Sequence, residues 1–577
     1  MSEYLTLGLF QMYVENDFKK NLTKIIEAIT NAKLSGCDVI VFPEGALDAQ
    51  CLKSLNIEEN RKKVSLAIEK IRRVANAEVI YVILCTVYPM NKQYVNRLTV
   101  INPKGEIIFD YYKLHDLPGR NSSKTFSING VIASAIICAD RWIPSIEDLP
   151  VMEGAKVIFE CSGNYYDEWI DDLEWYWQVT RAVRNSVYVV FVNTSSRYHI
   201  RGHGHTAIIA PDGSIIDSLQ EEDDRLLVAK IDISKASRSE ALRRFNHPTF
   251  KSFWESGINI IKGKTIEKPT HVYRLISQKS PIKVAVAQMA CSRKIELNLK
   301  HMKFMIKNAK DNNADIIAFP ELVVTGAYDR DILEADRKVL VTALEYIRAV
   351  ARQEKIYVIF GMPWYINGKR RNSAFVIDEN GNILTRYDQI VVDKIHLFEQ
   401  GRSTHSMWFT VKGVHSIVTI GTDVRWCEIS KLAALRGAVL HFHICYDPGI
   451  TSEAILKRKQ FWATIANDRT LLATINAAYP FKVENPSSPA GGNSIIWCSF
   501  YRDCKWVSPE YPCCYSITRY PYTGVRLAEA GFTEQIIYGS EILGPENRLL
   551  NYLLEKDSQM KDWYYMGIRV IDISNGD

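Results

Sequence analysis

A long internal repeat constrains this chain more than any other feature. Near the start, Leu5–Met12 reads L-T-L-G-L-F-Q-M and the following segment closes V-I-V-F-P-E at Glu44. Much later, Ile282–Met289 reads I-K-V-A-V-A-Q-M and closes I-I-A-F-P-E at Glu321. One gapless register lays Gln11 on Gln288, Met12 on Met289, Asn21 on Asn298, Ala32 on Ala309, Asp38 on Asp315 and Glu44 on Glu321. Any two strand–helix–strand units share an apolar rhythm, but that rhythm alone does not match a Gln-Met pair, an Asn and a Pro-Glu at once. The chain is a tandem duplication.

Each copy opens the same way. Leu5 to Phe10 has the apolar run of a strand, and Phe18, Leu22, Ile25, Ile26 and Ile29 then recur at helical spacing behind Asn16 and Asp17, either of which can cap the first turn. Gly36 ends that helix and Asp38 to Phe42 is the next strand. Ala77 to Val87 and Lys355 to Gly361 read as further strands. Asn96–Asp110 and Asn372–Arg386 read as matching hairpins around Gly105 and Gly381. Strands at Val157–Glu160 and Val439–Ile444 precede helical stretches at Trp175–Arg184 and Ala454–Asp468. Strands follow at Tyr188–Asn193, Leu471–Asn476 and Gly204–Gly213. Strands alternating with helices imply α/β layers. A chain of 577 residues exceeds one ordinary core, and the Gly-, Pro- and Lys-broken stretch Gly257–Ser280 is the expected linker. The expected domains are 1–275 and 281–577.

Composition narrows the class. The net charge of +5 is a mild excess with no basic stripe interleaved with aromatics, so nucleic acid is not an expected partner. The 12 cysteines form no C-x-x-C pair and read as reduced thiols of a cytoplasmic protein; Cys513 and Cys514 receive no role. No run approaches the roughly 18 apolar residues of a membrane span. His199, His203 and His205 crowd one short stretch, but a rim loop fits them better than a metal site. Neither a metal nor another cofactor is expected.

The chemistry gathers at three strand ends. Ile132–Ile137 is an apolar run that delivers Cys138, Asp140 and Trp142 where the chain must turn outward, V-I-V-F-P-E delivers Glu44, and Y-Y-K-L-H delivers Lys113. A thiol nucleophile needs a base to take its proton and a cation for the oxyanion that develops; Glu44 and Lys113 supply these residue types. F-P-E at Phe42–Glu44, Y-x-K-x-H at Tyr111–His115 and I-C-x-D-x-W-x-P at Ile137–Pro144, in this order, resemble the nitrilase (carbon–nitrogen hydrolase) superfamily. The resemblance implies two tandem α-β-β-α sandwich domains packed as an intrachain pseudo-dimer, with further homo-oligomerisation left open. It implies hydrolysis of a small amide or N-carbamoyl amine through a thioester on Cys138, with Glu44 as base and acid. Lys113 and the Ala139 N–H would hold the oxyanion. Arg141 and Trp142 are expected to line the pocket, Arg141 against a substrate carboxylate. The family's further Glu between lysine and cysteine has no counterpart between Lys113 and Cys138.

The second copy keeps Glu321. Lys394 fits K-x-H if an insertion precedes it; otherwise Gln389 takes the lysine's place. Aligning Asp140 with Asp423 puts Gly421 where Cys138 stands, and Cys427 lies past the turn. Residues from about Pro281 onward are thus expected to be a copy without a nucleophile that supports the first. The competing expectation is a ligand sensor or interaction module in which neither half is catalytic.

Overall fold

The computed structural model describes residues 3–47, 56–90, 93–117, 124–163, 176–195, 204–220, 224–264, 274–466, 468, 470–481, 483–498, 525–544 and 558–571. His199, His203, Cys513 and Cys514 lie outside them. Two compact units divide the chain: Met1–Glu267 with Tyr552–Trp563, and Lys268–Asn551 with Tyr564–Asp577.

In the first unit, one six-stranded sheet runs in the order Arg225–Asp232, Tyr4–Gln11, Val39–Val41, Tyr81–Met90, Gln93–Ile101, Ile107–Tyr112. A second runs Ile215–Ser218, Ala207–Ile209, Tyr188–Val192, Val157–Cys161, Val131–Ile137, Phe126–Ile128. Leu5, Leu7 and Leu9 alternate along their strand, as period-two geometry requires, and face Val157, Phe159, Val190 and Ile137 in one dry layer between the sheets. The helices Phe18–Leu34 and Ile57–Glu78 cover the outer face of the first sheet through Ile25, Ile29, Val64, Ile68 and Ile71. Val151, Val179, Ala182 and Ala241 cover the second sheet. The layers are α-β-β-α. Truncating a residue of the middle layer such as Phe159 to Ala is expected to cost about 3–5 kcal/mol.

Local sequence explains most element ends. Asp17 caps its helix by accepting from Lys19 N and Lys20 N at 2.9 and 3.2 Å. At Gly8 the helix and the turn after it approach so closely that a Cβ would lie 3.0 Å from Cys37 Sγ and 3.4 Å from Ala32 Cβ. Two expectations need correction. The helix Ile57–Glu78 overruns the strand expected from Ala77, which begins only at Tyr81. Gly257 is not linker: it sits in the helix Lys251–Ile261, where a Cβ would come within 2.6 Å of Trp563 Cζ2. Trp563 also stacks on Phe253 at 4.4 Å and donates to its carbonyl at 2.6 Å.

The second unit repeats the strand order. Its sheets run Ile383–Asp388, Lys369–Ile377, Tyr357–Ile366, Ile316–Ala318, Ser280–Gln288, Gln535–Leu543, and Trp408–Val411, Val414–Ile420, Leu440–Cys445, Leu471–Asn476, Ile495–Cys498, Val525–Glu529. The helices Ile295–Asp311 and Arg337–Glu354 cover the first of these through Met302, Ile306, Leu344 and Ile347. Among the described residues no helix is long and apolar enough to cross a membrane.

Candidate active site

Parallel strands within each sheet end on one side, and the side chains of interest follow those ends. Glu44 comes just after Val39–Val41, Lys113 after Ile107–Tyr112, Cys138 after Val131–Ile137 and Gly163 after Val157–Cys161. Lys113 Nζ donates to Glu44 Oε1 at 2.6 Å, and the two side chains are only 10% and 12% exposed. Burial alone would lower the Lys113 pKa. The charges of Glu44 and then Cys138, Asp116 and Asp140 outweigh it and hold the ammonium well above the ordinary lysine range.

Cys138 begins the 3-10 turn Cys138–Trp142 with φ of 44°. A left-handed conformation costs a non-glycine residue roughly 1–2 kcal/mol, so the turn carries strain at the thiol. Burial, then the negative charge of Glu44, pushes the thiol up to about 11, against Lys113, Arg141 and the Gly163 N–H. At neutral pH the resting group is a thiol.

Asp140 ties the cysteine turn to the lysine loop. It is wholly buried and accepts from Leu114 N at 2.9 Å, from His115 N at 3.2 Å and from the Tyr111 hydroxyl, and its Oδ1 lies 2.6 Å from His115 Nδ1. The backbone bonds it accepts come from the loop that carries Lys113, so it sets the distance between that loop and Cys138. Trp142 packs edge-on against His115, with ring centroids 6.1 Å apart.

Arg141, expected to meet a substrate carboxylate, is engaged by protein groups. Its Nη1 pairs with Glu160 Oε1 at 3.0 Å, Nη2 donates to Ser162 Oγ at 2.9 Å and lies 3.8 Å from Cys138 Sγ, and Nε donates to the Cys138 carbonyl at 3.0 Å. The guanidinium is 5% exposed and turned beneath the cysteine. Glu160, Ser162, Gly163 and Asp116 are contributors that motif reading missed. Asp116 accepts from Asn96 N and Nδ2 at 2.7 and 3.1 Å, and burial raises its pKa against the pull of Lys113. Glu160 did leave a signal: a carboxylate inside the buried run V-I-F-E-C requires a partner.

The equivalent place in the second unit is built differently. Gly421 begins the turn Gly421–Arg425 with φ of 48°, so the elbow is conserved but is strain-free for glycine. Asp423 accepts from Ile390 N, Val391 N and the Tyr387 hydroxyl at 3.1, 2.7 and 2.8 Å, as Asp140 does from its counterparts. Lys394 is not the counterpart of Lys113. It is half exposed and paired with Asp329 at 3.0 Å. Gln389 holds the position instead: its N–H bonds Asn372 O, just as the Lys113 N–H bonds Asn96 O, each at 2.9 Å. Asn372 Nδ2 bridges Gln389 Oε1 at 2.9 Å and Glu321 Oε1 at 2.6 Å. Among the described residues no cation bonds Glu321, and burial pushes it up to about 7 despite the N–H groups of Asn372 and Tyr446. A Cβ on Gly421 would lie 2.7 Å from Glu321 Oε2, so the carboxylate already fills the space a nucleophile would need.

Two α-β-β-α sandwiches, each gathering an acid, a strand-end elbow and a buried Asp–Tyr brace, define an α/β fold class. Sequence comparison makes the family definite. The carbon–nitrogen hydrolase family profile matches residues 6–240 and again 283–468, well over half of the chain, and the protein belongs to that family. The protein called hydrolase in agr operon from Staphylococcus aureus is 25% identical over 255 residues, covering 41% of this chain and 94% of that protein. The 2-oxoglutaramate amidase of Bacillus subtilis (strain 168) is 25% identical over 212 residues, covering 34% of this chain and 75% of that one. A mutant form of an amidase of the nitrilase superfamily from Nesterenkonia sp. AN1 aligns at a TM-score of 0.39 and 18% identity, covering 50% of this chain and 98% of that chain.

Proposed function

We propose that the first unit hydrolyses the carbon–nitrogen bond of a small amide or N-carbamoyl amine through a thioester on Cys138. The observation that carries this reading is the Glu44–Lys113 pair at 2.6 Å, set at strand ends where both charges act on the Cys138 thiol. Sγ attacks the carbonyl carbon while Glu44 takes the thiol proton. The resulting oxyanion is held by the Lys113 ammonium and the Ala139 N–H. Collapse breaks the C–N bond, and Glu44 returns the proton to the leaving nitrogen, so ammonia or an amine departs and an acyl thioester remains. Water then attacks with its proton passing to Glu44, the C–S bond breaks, the thiol is reprotonated and a carboxylic acid leaves. A neutral resting thiol suits this sequence, because proton transfer to Glu44 accompanies attack. The second unit is a non-catalytic copy. The relatives named as amidases support an amide as substrate.

The test is ammonia release from a panel of small amides and carbamoyl amines by the wild-type protein and by Cys138→Ala. Turnover in the wild type alone supports the reading. Turnover persisting in Cys138→Ala excludes it, and no turnover with binding retained in both favours the sensor.

A further inference from the structure

The two copies, laid on each other, separate scaffold from chemistry. The brace is retained in both: Asp140 and Asp423, Tyr111 and Tyr387, and the same two backbone N–H groups. A second set is present only beside the thiol. Glu160, wholly buried, binds Arg141 Nη1 at 3.0 Å, Arg181 Nη1 at 2.8 Å, Ser162 Oγ at 3.2 Å and Gln178 Nε2 at 3.2 Å. Arg181 Nη2 closes the ring by donating to the Arg141 carbonyl at 2.6 Å. In the register that lays Gly421 on Cys138, the matching positions are Val424 for Arg141, His443 for Glu160 and Thr464 for Arg181. His443 bonds Thr419 Oγ1 at 3.0 Å and is held neutral by burial, with its pKa lowered to about 3. So the copy that lost the thiol also lacks this entire charged set while keeping its fold. The set is not required by the sandwich.

Resting on the reading of Cys138 as the nucleophile, we propose that Arg141 is a thiolate-stabilising residue and Glu160 the buried anion that tempers its charge. Arg141 reaches the sulfur with Nη2 at 3.8 Å and fixes the strained turn by donating to the Cys138 carbonyl at 3.0 Å. A planar guanidinium can do both at once, which a lysine ammonium cannot. The other groups acting on the sulfur are Glu44, which opposes ionisation, and Lys113 and the Gly163 N–H, which favour it. As negative charge builds on Sγ, its proton going to Glu44, Arg141 is a second cation beside Lys113. Glu160 tempers that cation, since its own charge offsets part of Arg141's.

The two variants therefore have opposite signs. The experiment is the alkylation rate of Cys138 by iodoacetamide at pH 8, read on the Cys138 peptide by mass spectrometry in the full chain, with Cys138→Ala as blank. Arg141→Met is expected to slow it about tenfold, the effect of one pKa unit on thiolate fraction. Arg141→Lys, which keeps the charge but not the planar fork, is expected to fall between Arg141→Met and wild type, and Glu160→Gln to be faster than wild type. Arg141→Met matching wild type, or Glu160→Gln slowing alkylation as general loosening would, overturns the proposal. Should Arg141→Met not fold, Glu160→Gln decides alone: a faster rate supports it and an equal or slower rate overturns it. Wild type showing no modification at Cys138 would instead sink the nucleophile itself, so the two failures are distinguishable.

Discussion

Two elbows in one chain, at Cys138 and Gly421, share a strand order, a left-handed φ and an aspartate brace, yet only one is uphill in energy. At Gly421 the conformation suits the residue, and Glu321 has moved into the space above it. At Cys138 the same conformation is held against its preference, by Arg141 on the carbonyl and Asp140 behind the turn. Strain kept where a smaller residue would relieve it marks the place where the side chain is needed. The difference also runs through charge. The first site pairs its acid with a buried lysine, whereas the second bridges its acid to a neutral glutamine through Asn372.

Exchanging that one residue should break the comparison most visibly. Lys113→Gln gives the first site the second site's group and is expected to lower kcat/KM for amide hydrolysis by about 10²–10³ through loss of oxyanion stabilisation. Gln389→Lys in a Cys138→Ala background should create no turnover. A Lys113→Gln enzyme as fast as wild type would separate Lys113 from the chemistry.

Because the Cys138 thiol is raised to about 11, its thiolate fraction should climb about tenfold per pH unit. Its alkylation rate is then expected to rise about 100-fold from pH 7 to pH 9 without a plateau. A plateau below pH 8 would show a preformed thiolate and remove the need for Glu44 as base.

Smaller effects are expected in the second unit. Gly421→Cys must accept φ of 48° and a Cβ 2.7 Å from Glu321 Oε2. It should lose about 2 kcal/mol of stability in urea unfolding from strain and overpacking, and gain no activity.

At Glu321 the change is of similar size and depends on pH. Its folded-state pKa of about 7 lies above the ordinary carboxylate value, so the folded state binds more protons and stability from this group falls as pH rises between about 4.5 and 7. Glu321→Gln should remove that loss: relative to wild type it should be more stable at pH 8 than at pH 5, by about 2.5 kcal/mol. An identical difference at both pH values would mean that Glu321 does not titrate in this window.

Much of this is legible in the sequence, for physical reasons that can be named. The duplication gave two like α/β domains, the family resemblance made them sandwiches, and apolar runs ending in Glu44, Lys113 and Cys138 pointed to three strand ends. Lys394 misled because a three-letter K-x-H match competed with hairpin register. The register of the strands Lys369–Ile377 and Ile383–Asp388, which mirrors that of Gln93–Ile101 and Ile107–Tyr112, delivers Gln389. Sequence shows the Arg141 charge but not the buried Glu160 that pairs with it. The docking of Trp563 on Phe253 was equally hidden, since an apolar residue does not declare what it will pack against.

The central claim is that this duplicated chain has one working nucleophile. Mixing the full-length protein with a slowly deacylated amide or activated ester and quenching for intact-mass and peptide analysis measures this directly. One acyl group per chain, carried on the Cys138 peptide and abolished by Cys138→Ala, is the predicted result. Acyl groups on another cysteine, or two per chain, would contradict it.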